Sequence, residues 1–291
     1  MRSTAAPRTR RADAAEGAVG PDGGDVRTTQ RENQSVRKAA ALLRAAADSA
    51  GGSTVSALAR AADLPRASAL RMIESLVAER LLARLPDDRV VIGPGLHTLA
   101  RTTNLAEIVL DCARGPMEDL AQRVGESVTL TVSMPDGSLS LVRQVDGPHM
   151  LGMTNWVGRP FALHTSSSGK LALAFAGESR VEAFLRTPLE KVASRTITDP
   201  DVFRAELEQV RAAGWSQIED EIEDGIAAIS AGVFFDGTLV ASLNVTGPTT
   251  RFTERARRAA LVPLRRACAV VEANLGSTRS RPRRRPLNSP R

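Results

Sequence analysis

The sequence has no tyrosine, two cysteines and three histidines among its 291 residues. Cys112 and Cys268 stand far apart and form no Cys-x-x-Cys pair, which excludes a disulfide-stapled mini-protein. His97, His149 and His164 do not have the spacing of metal ligands, so neither a metal site nor another cofactor is predicted. The sequence also lacks a Gly-x-Ser-x-Gly segment. No catalytic residue is therefore assigned.

Long apolar runs are absent as well. None reaches the roughly 18–20 residues that a membrane-spanning helix needs. The first residues are polar, with Arg, Gly and Asp, and lack the apolar stretch of a signal peptide. We therefore expect a cytoplasmic protein that has no membrane partner.

Charge is distributed unevenly along the chain, whose formal net charge is +6. Residues 1–100 carry 15 basic and 11 acidic residues, whereas residues 101–275 carry 18 and 22. The last 16 residues carry 6 basic residues and none that is acidic. This asymmetry indicates that the N-terminal part of the chain faces nucleic acid, whereas residues 101–275 form an acidic region behind it. We predict disorder at both ends of the chain, over residues 1–33 and over the Arg-rich residues 276–291. The Arg-rich end is either a solvated tail or a segment that is attracted to DNA phosphate.

The first block, residues 34–95, is predicted to form three helices and a β-hairpin. Apolar residues recur at helical spacing in the first and third helices, at Ala39, Leu42, Leu43 and Ala46, and at Ala69, Met72, Ile73 and Leu76. Ser53 or Thr54 caps the second helix, and residues 63–65 (Asp-Leu-Pro) end it. Apolar runs at 81–85 and 89–92 flank a turn and predict the hairpin.

Two short helices joined by a tight turn and followed by a hairpin are typical of a winged helix-turn-helix domain. Its third helix presents an outer face to the major groove. Arginine suits guanine edges and phosphates, serine suits either, and leucine can contact a thymine methyl group. The predicted DNA contacts are Arg37, Arg66, Ala67, Ser68, Leu70, Arg71, Ser75, Arg84 and Arg89. The alternative is that these are ordinary surface residues of a three-helix unit.

The second block, residues 105–275, mixes helices with strands of alternating polarity. Helices are predicted near 105–123, 168–176, 179–186, 200–213 and 253–274, and strands at 127–132, 139–145, 226–235 and 238–246. This pattern predicts an α+β fold in which helices cover an antiparallel sheet.

Two polar segments of the second block are not assigned a site. Residues 166–170 (Ser-Ser-Ser-Gly-Lys) lack the first glycine of a phosphate-binding loop. They are interpreted as a helix start that is capped by Ser166 or Ser167, with Lys170 facing solvent or an acid. The acidic residues between 219 and 224 do not match a calcium loop and are interpreted as a solvated turn.

Segments spread over residues 35–275 resemble the IclR-type transcriptional regulators, in order and at the right spacings. Residues 164–174 are similar to the family's His-x-x-x-x-Gly-Lys-Ala signature, and residues 244–253 to its closing Ser-x-Ser-Gly-Pro block. Further matches are residues 35–39, 57–73, 91–93, 214–215, 219–225 and 229–234. The sequence departs from the family at Asp63, where glycine is usual, at Gly232, where proline is usual, and at Asn244, which replaces a serine.

The resemblance implies a winged helix-turn-helix domain over residues 34–95 and a linker helix over 94–104. A GAF- or PAS-like α/β domain for effector binding and oligomerisation follows over 105–275. The family members are non-enzymatic repressors or activators that bind a palindromic operator in double-stranded DNA as a dimer or tetramer. Their effector is typically a small organic acid or an aromatic catabolite. Carried over, the pocket residues are Met153, Phe161, Ile226, Ala228, Asn244 and Thr246.

From the residues alone, these six side chains could equally serve core packing. Two other function classes stay open at this point. One is an enzyme or small-molecule-binding protein built on the α+β block with an accessory helical domain. The other is a module that binds a partner other than DNA.

Overall fold

The computed structural model describes residues 33–49, 51–101, 103–134, 137–149 and 154–276. Apart from Asn33 and Gly276, the two tails predicted to be disordered lie outside the described residues, and so does Met153. The chain divides into two compact units, with the boundary between Thr102 and Thr103. Across the described ranges, no helix is both long and apolar enough to cross a membrane.

The first unit is a cluster of three helices followed by a hairpin and a short helix. Its elements are α1 (Gln34–Ala47), α2 (Val55–Ala61), α3 (Arg66–Ala78), β1 (Leu82–Arg84), β2 (Val90–Ile92) and α4 (Pro94–Ala100). The hydroxyl of Thr54 accepts a hydrogen bond from the Ala57 N–H and caps α2. Within the segment predicted as a linker helix, α4 starts at Pro94, a residue suited to a helix N-terminus, and ends at Ala100.

The core of the first unit contains the apolar stripes predicted from the sequence. Its buried members are Leu42, Ala46, Leu58, Ala59, Ala69, Ile73, Leu76, Leu82 and Val90. Ala39, Leu43 and Met72 are partly buried against them. The hairpin joins this core through one residue of each strand, because alternate residues of a strand point to opposite faces.

The turn between α2 and α3 contains an unusual backbone conformation. Asp63 adopts a φ of 53°, in the left-handed region. Glycine reaches this region without strain, whereas aspartate is one of the few other residues that tolerate it. The substitution for the family's glycine therefore preserves the turn at a cost in strain.

The second unit is a five-stranded antiparallel sheet between two layers of helices. The strands are β3 (Ser127–Ser133), β4 (Leu139–Val145), β5 (Trp215–Glu219), β6 (Ile226–Phe235) and β7 (Thr238–Pro248), in the order β4-β3-β7-β6-β5. The helices are α5 (Leu105–Val124), α6 (Ser167–Phe175), α7 (Glu178–Leu185), α8 (Pro200–Ala213) and α9 (Glu254–Asn274). A short 3-10 turn, Leu163–Thr165, precedes α6. The predicted α+β class is confirmed.

Alternation along the central strands gives the sheet two different faces. Val128, Leu130 and Val132 of β3 pack with Leu243 and Val245 of β7 beneath α5 and α9. The intervening residues, such as Thr129 and Asn244, point to the opposite face. That face carries α6 and a cavity.

Strand β5 is a difference from the sequence prediction, which placed no strand at 215–219. The segment is only five residues long and pairs on one side, with β6. Its two buried residues, Ser216 and Ile218, include a serine. Because a short edge strand is stabilised mainly by its neighbour, the local pattern was too weak to reveal it.

Candidate nucleic-acid interface and ligand cavity

Helix α3 presents a polar face to solvent on the side opposite its buried residues. Arg66, Ala67, Leu70, Arg71 and Ser75 are exposed, and Ser68 is half-buried. These are the residues that helical spacing places away from the core. The structure therefore brings the six α3 residues predicted to contact DNA onto the open side of one helix.

The two arginines of this face have no ion-pair partner among the residues that the structure describes. Their guanidinium groups can thus reach an external acceptor without breaking an internal bond. Glu74 is also exposed, one helical turn after Leu70, and the sequence analysis did not consider it. A carboxylate at this place can accept a hydrogen bond from a cytosine amino group and repel phosphate.

The hairpin arginines are in a different situation. Arg84 forms an ion pair with Asp88 at 3.3 Å, and Arg89 Nε lies 2.6 Å from Asp87 Oδ2. Arg89 also donates to the carbonyl oxygen of Gly51. The hydrogen bond from Arg89 lowers the pKa of the Asp87 carboxyl below its ordinary value. Both hairpin arginines predicted to contact DNA are thus already paired with carboxylates of the same hairpin.

Arg37 lies on α1 of the same unit. It is exposed and lines a groove with Lys38 and Arg44 of α1 and with Asp63 and Leu64 of the turn before α3. With three basic residues and one acidic residue, Asp63, the described lining of this groove carries a net positive charge. This placement is compatible with a contact to the DNA backbone.

The second unit has an open cavity between α6 and the free face of the sheet. Including its mouth, the cavity has a volume of about 610 Å³. Its apolar and aromatic walls come from Leu141, Trp156, Phe161, Ile218, Ile222, Ile226 and Ala228. Its polar residues are Ser127, Thr129, Thr131, Gln144, Ser166, Ser167, Ser168, Asn244 and Thr246. Among these described residues no side chain is charged, so the lining combines apolar walls with neutral polar groups.

The floor of the cavity and the sheet beneath the start of α6 are formed by two rows of residues that cross four strands in register. Ser216 and Ser230 lie under α6, where both contact Ser167 and neither lines the cavity. The first row is Ser216, Ser230, Asn244 and Thr129, each paired with the next across the sheet. The second row is Ile218, Ala228, Thr246 and Ser127. The first row is polar throughout, whereas the second is apolar on β5 and β6 and polar on β7 and β3.

Asn244 lies at the centre of a buried hydrogen-bond network. Its Nδ2 group lies 3.0 Å from Thr129 Oγ1, 3.0 Å from Thr131 Oγ1 and 3.3 Å from the Thr129 carbonyl oxygen. Its Oδ1 atom accepts from Ser230 at 2.6 Å and from Ser242 at 3.0 Å. An amide has two donor hydrogens and two acceptor lone pairs, and this network uses all of them.

Helix α6 begins at the cavity. The Ser166 hydroxyl accepts a hydrogen bond from the Gly169 N–H at 3.1 Å and caps the helix. The sequence predicts either Ser166 or Ser167 as this cap. The first N–H groups of a helix lack intrahelical partners and attract negative charge. Because Ser166, Ser167 and Ser168 line the cavity, this positive helix end faces the ligand space.

Lys170 and the acidic segment are arranged differently from the prediction. Lys170 is 1% exposed, and its Nζ atom lies 2.7 Å from a Glu221 oxygen and 3.4 Å from Glu206 Oε1. The sequence predicts that Lys170 faces either solvent or an acidic residue, and the structure confirms the acidic residue. The prediction of a solvated turn is wrong for Glu221, which is buried, and this burial raises the pKa of its carboxyl despite the nearby ammonium group. The ion pair holds the segment that carries Ile222 to the cavity wall.

The structure collects five of the six predicted pocket residues in this one cavity, namely Phe161, Ile226, Ala228, Asn244 and Thr246. The sixth, Met153, lies outside the described residues. Sequence reasoning missed Thr129, Thr131 and Trp156. Alternation in β3 indicated that Thr129 and Thr131 share a face with Ser127. The sequence did not show that β3 pairs with β7, and this pairing between distant segments is what places that face at the cavity.

Comparison with known proteins identifies both units. Residues 35–86 match the description "IclR helix-turn-helix domain", and residues 101–271 match "Bacterial transcriptional regulator IclR C-terminal". The chain is 27% identical over 230 residues to the HTH-type transcriptional repressor AllR of Escherichia coli strain K12. That alignment covers 77% of this chain and 84% of AllR.

Solved structures share the fold. An IclR transcriptional regulator from Silicibacter sp. TM1040 has a TM-score of 0.60 and is 23% identical in sequence. The match covers 87% of this chain and 99% of that chain, and at this identity it shows a shared fold only. An IclR homolog from Microbacterium hydrocarbonoxydans complexed with 4-hydroxybenzoate has a TM-score of 0.55 at 26% identity, over 84% of this chain and all of that chain. AllR is named as a transcriptional repressor, and a further relative, KipR of Bacillus subtilis strain 168, as a transcriptional regulator. The chain belongs to the IclR family of DNA-binding bacterial transcriptional regulators.

Proposed function

We propose that this regulator binds a palindromic operator as a dimer or a dimer of dimers and changes its operator affinity when a small organic acid or aromatic metabolite occupies the cavity. The observation that carries the proposal is the contrast between two sites. The exposed face of α3 has two arginines without an ion-pair partner among the described residues, whereas the described lining of the cavity in the second unit carries no charge. The first suits a polyanion, and the second suits a small ligand.

On the DNA side, α3 lies in the major groove and Arg71 contacts a base edge. Arg66 at the start of α3 contacts a phosphate or a guanine, and Ser68 and Ser75 add shorter polar contacts. Arg84 and Arg89 of the hairpin, and Arg37 of α1, contact the backbone. The hairpin contacts are weaker than the sequence alone suggests because Asp87 and Asp88 compete with phosphate for the same guanidinium groups.

On the ligand side, Trp156, Phe161 and Ile226 hold a ring or a short carbon chain, and the serine-rich start of α6 favours a carboxylate. The 4-hydroxybenzoate complex of the Microbacterium homolog supports an aromatic acid as one member of this class. Ile218 contributes an apolar wall, which also favours a ligand with an apolar body.

Fluorescence anisotropy with the DNA directly upstream of the coding sequence tests the DNA part of the proposal. The protein is expected to bind this DNA more tightly than a scrambled duplex of equal length. Its affinity should fall linearly on a plot of log affinity against log salt concentration, because phosphate contacts release counterions. A flat plot, or equal affinity for the scrambled duplex, contradicts the proposal.

A further inference from the structure

The orientation of the Asn244 side chain can be deduced from its surroundings. Its Nδ2 group faces the Thr129 carbonyl oxygen at 3.3 Å, and a carbonyl oxygen can only accept. The reversed amide would place two acceptor oxygens against each other. The surroundings therefore assign the amide nitrogen to the β3 side and the amide oxygen to the β6 side.

This orientation fixes the direction of the neighbouring hydroxyl groups. Since Asn244 Oδ1 only accepts, the Ser230 hydroxyl donates to it at 2.6 Å. The Ser167 hydroxyl, 2.6 Å from Ser230 Oγ, then donates to Ser230. The hydrogen bonds run in one direction, from Ser167 at the start of α6, through Ser230 on β6, to Asn244 on β7.

The same direction continues onto β3. Thr129 Oγ1 and Thr131 Oγ1 each accept an N–H hydrogen from Asn244 at 3.0 Å. Each hydroxyl therefore keeps its own hydrogen for another acceptor. Among the described residues, neither hydroxyl hydrogen has such an acceptor. Both residues line the cavity, and they are 7% and 1% exposed.

A buried hydroxyl hydrogen without an acceptor is costly, and two of them on one strand face are unusual. The Asn244 amide, by contrast, has no hydrogen-bonding capacity left for a ligand. It lines the cavity, but its role is to hold two threonine hydroxyls as donors.

We propose that Thr129 and Thr131 form a donor pair that recognises a carboxylate oxygen of the ligand, with Asn244 as the positioning residue. The proposal rests on the proposed function, since it assumes that the cavity is the ligand site. It predicts a selectivity rule: the cavity prefers a ligand whose polar group only accepts hydrogen bonds over one of equal shape whose polar group only donates.

Benzoate and benzamidine are suitable probes because they share an aromatic ring, while the carboxylate only accepts and the amidinium only donates. In calorimetric titrations of the full-length protein, benzoate is expected to bind at least about 100-fold more tightly than benzamidine. Thr129→Val and Thr131→Val, which keep the side-chain shape, should each weaken benzoate binding roughly 10-fold or more, the range expected for a hydrogen bond to a charged group.

Two further variants separate recognition from folding. Thr131→Ser retains the hydroxyl and should retain benzoate affinity within about threefold. Thr165→Val is the matched control, because Thr165 is 1% exposed but already donates to the Ala162 carbonyl oxygen and does not line the cavity. This control should leave benzoate affinity unchanged, and circular dichroism should show folded protein for all four variants.

Three outcomes overturn the donor pair: equal binding of benzoate and benzamidine, binding of neither by the wild type, or valine variants that bind benzoate as tightly as the wild type. A different result concerns the proposed function alone. If benzoate binding depends on both threonines but no ligand of this class changes operator affinity, the donor pair stands and the proposed switch fails.

Discussion

The polar residues of the two candidate sites differ in how far the fold already uses them. On α3, Arg66 and Arg71 are exposed and have no ion-pair partner among the described residues. At the cavity floor, Asn244 is buried and fully hydrogen-bonded within the protein. Substitutions on α3 should therefore change binding without changing stability, whereas substitutions near the cavity floor should change both.

The largest expected effect comes from the buried ion pair beside the cavity. Lys170→Met removes the ammonium group and leaves Glu221 buried without its counter-charge, which should lower the free energy of unfolding by roughly 3–5 kcal/mol. Urea denaturation monitored by circular dichroism measures this loss. Arg258→Met is the matched control, because the Arg258–Glu254 pair is exposed and should contribute under about 1 kcal/mol.

The loss caused by Lys170→Met should also depend on pH. Burial raises the pKa of Glu221 above its ordinary value of 4.5 in the folded protein. A carboxyl whose folded pKa is raised favours folding while protonated, and this contribution is lost as pH rises through the folded pKa. Lys170 partly offsets this rise, so its removal should raise the pKa of Glu221 further. The stability deficit of the variant should therefore be small at acidic pH, where Glu221 is protonated in both proteins, and grow towards neutral pH. A deficit that is the same at all pH values contradicts the assignment of the cost to Glu221.

A smaller effect, confined to DNA binding, is expected on the exposed face of α3. Arg71→Ala should weaken operator binding by about 1–3 kcal/mol if the guanidinium contacts a base, with relaxed preference at one base pair. Its free energy of unfolding should stay within about 0.5 kcal/mol of the wild type. Anisotropy at fixed salt measures the affinity, and Arg186→Ala, an exposed arginine of the second unit, is the control. Unchanged operator affinity would show that α3 does not read DNA through this residue.

The smallest effect is expected in the hairpin and has the opposite sign. Asp87→Asn removes the carboxylate that holds Arg89, so affinity should rise by up to about threefold for all DNA sequences alike. Asp224→Asn is a close control, because Asp224 is also an exposed aspartate with a lowered pKa, but its partner is the Ser194 N–H in the second unit. A loss of affinity in Asp87→Asn would mean that the ion pair orients Arg89 for its phosphate contact.

Features that depend on neighbouring residues could be predicted from the sequence. The apolar stripes of α1 and α3, the hairpin after α3 and the capping of α6 by Ser166 or Ser167 each follow from a few consecutive positions. The structure selects Ser166. The exposed face of α3 follows in the same way, because helical spacing alone separates Arg71 from Ile73.

Features that depend on strand pairing could not be predicted. Thr129 and Ser216 belong to the same polar row only because β7 and β6 lie between them in register. The contact of Lys170 with Glu221 likewise joins residues that are distant in the chain. The family resemblance indicated Asn244 as a pocket residue, but whether its amide is available to a ligand depends on neighbours from two other strands, β3 and β6.

Calorimetric titration of 4-hydroxybenzoate into free and operator-bound protein tests the coupling of the two sites most directly. Binding linkage requires that the operator change the ligand affinity by the same factor by which the ligand changes the operator affinity. We predict two different dissociation constants for the wild type, and loss of ligand binding with retained operator binding for the double variant Phe161→Ala, Thr246→Val. Identical dissociation constants for free and operator-bound wild type would contradict a ligand-controlled DNA-binding protein.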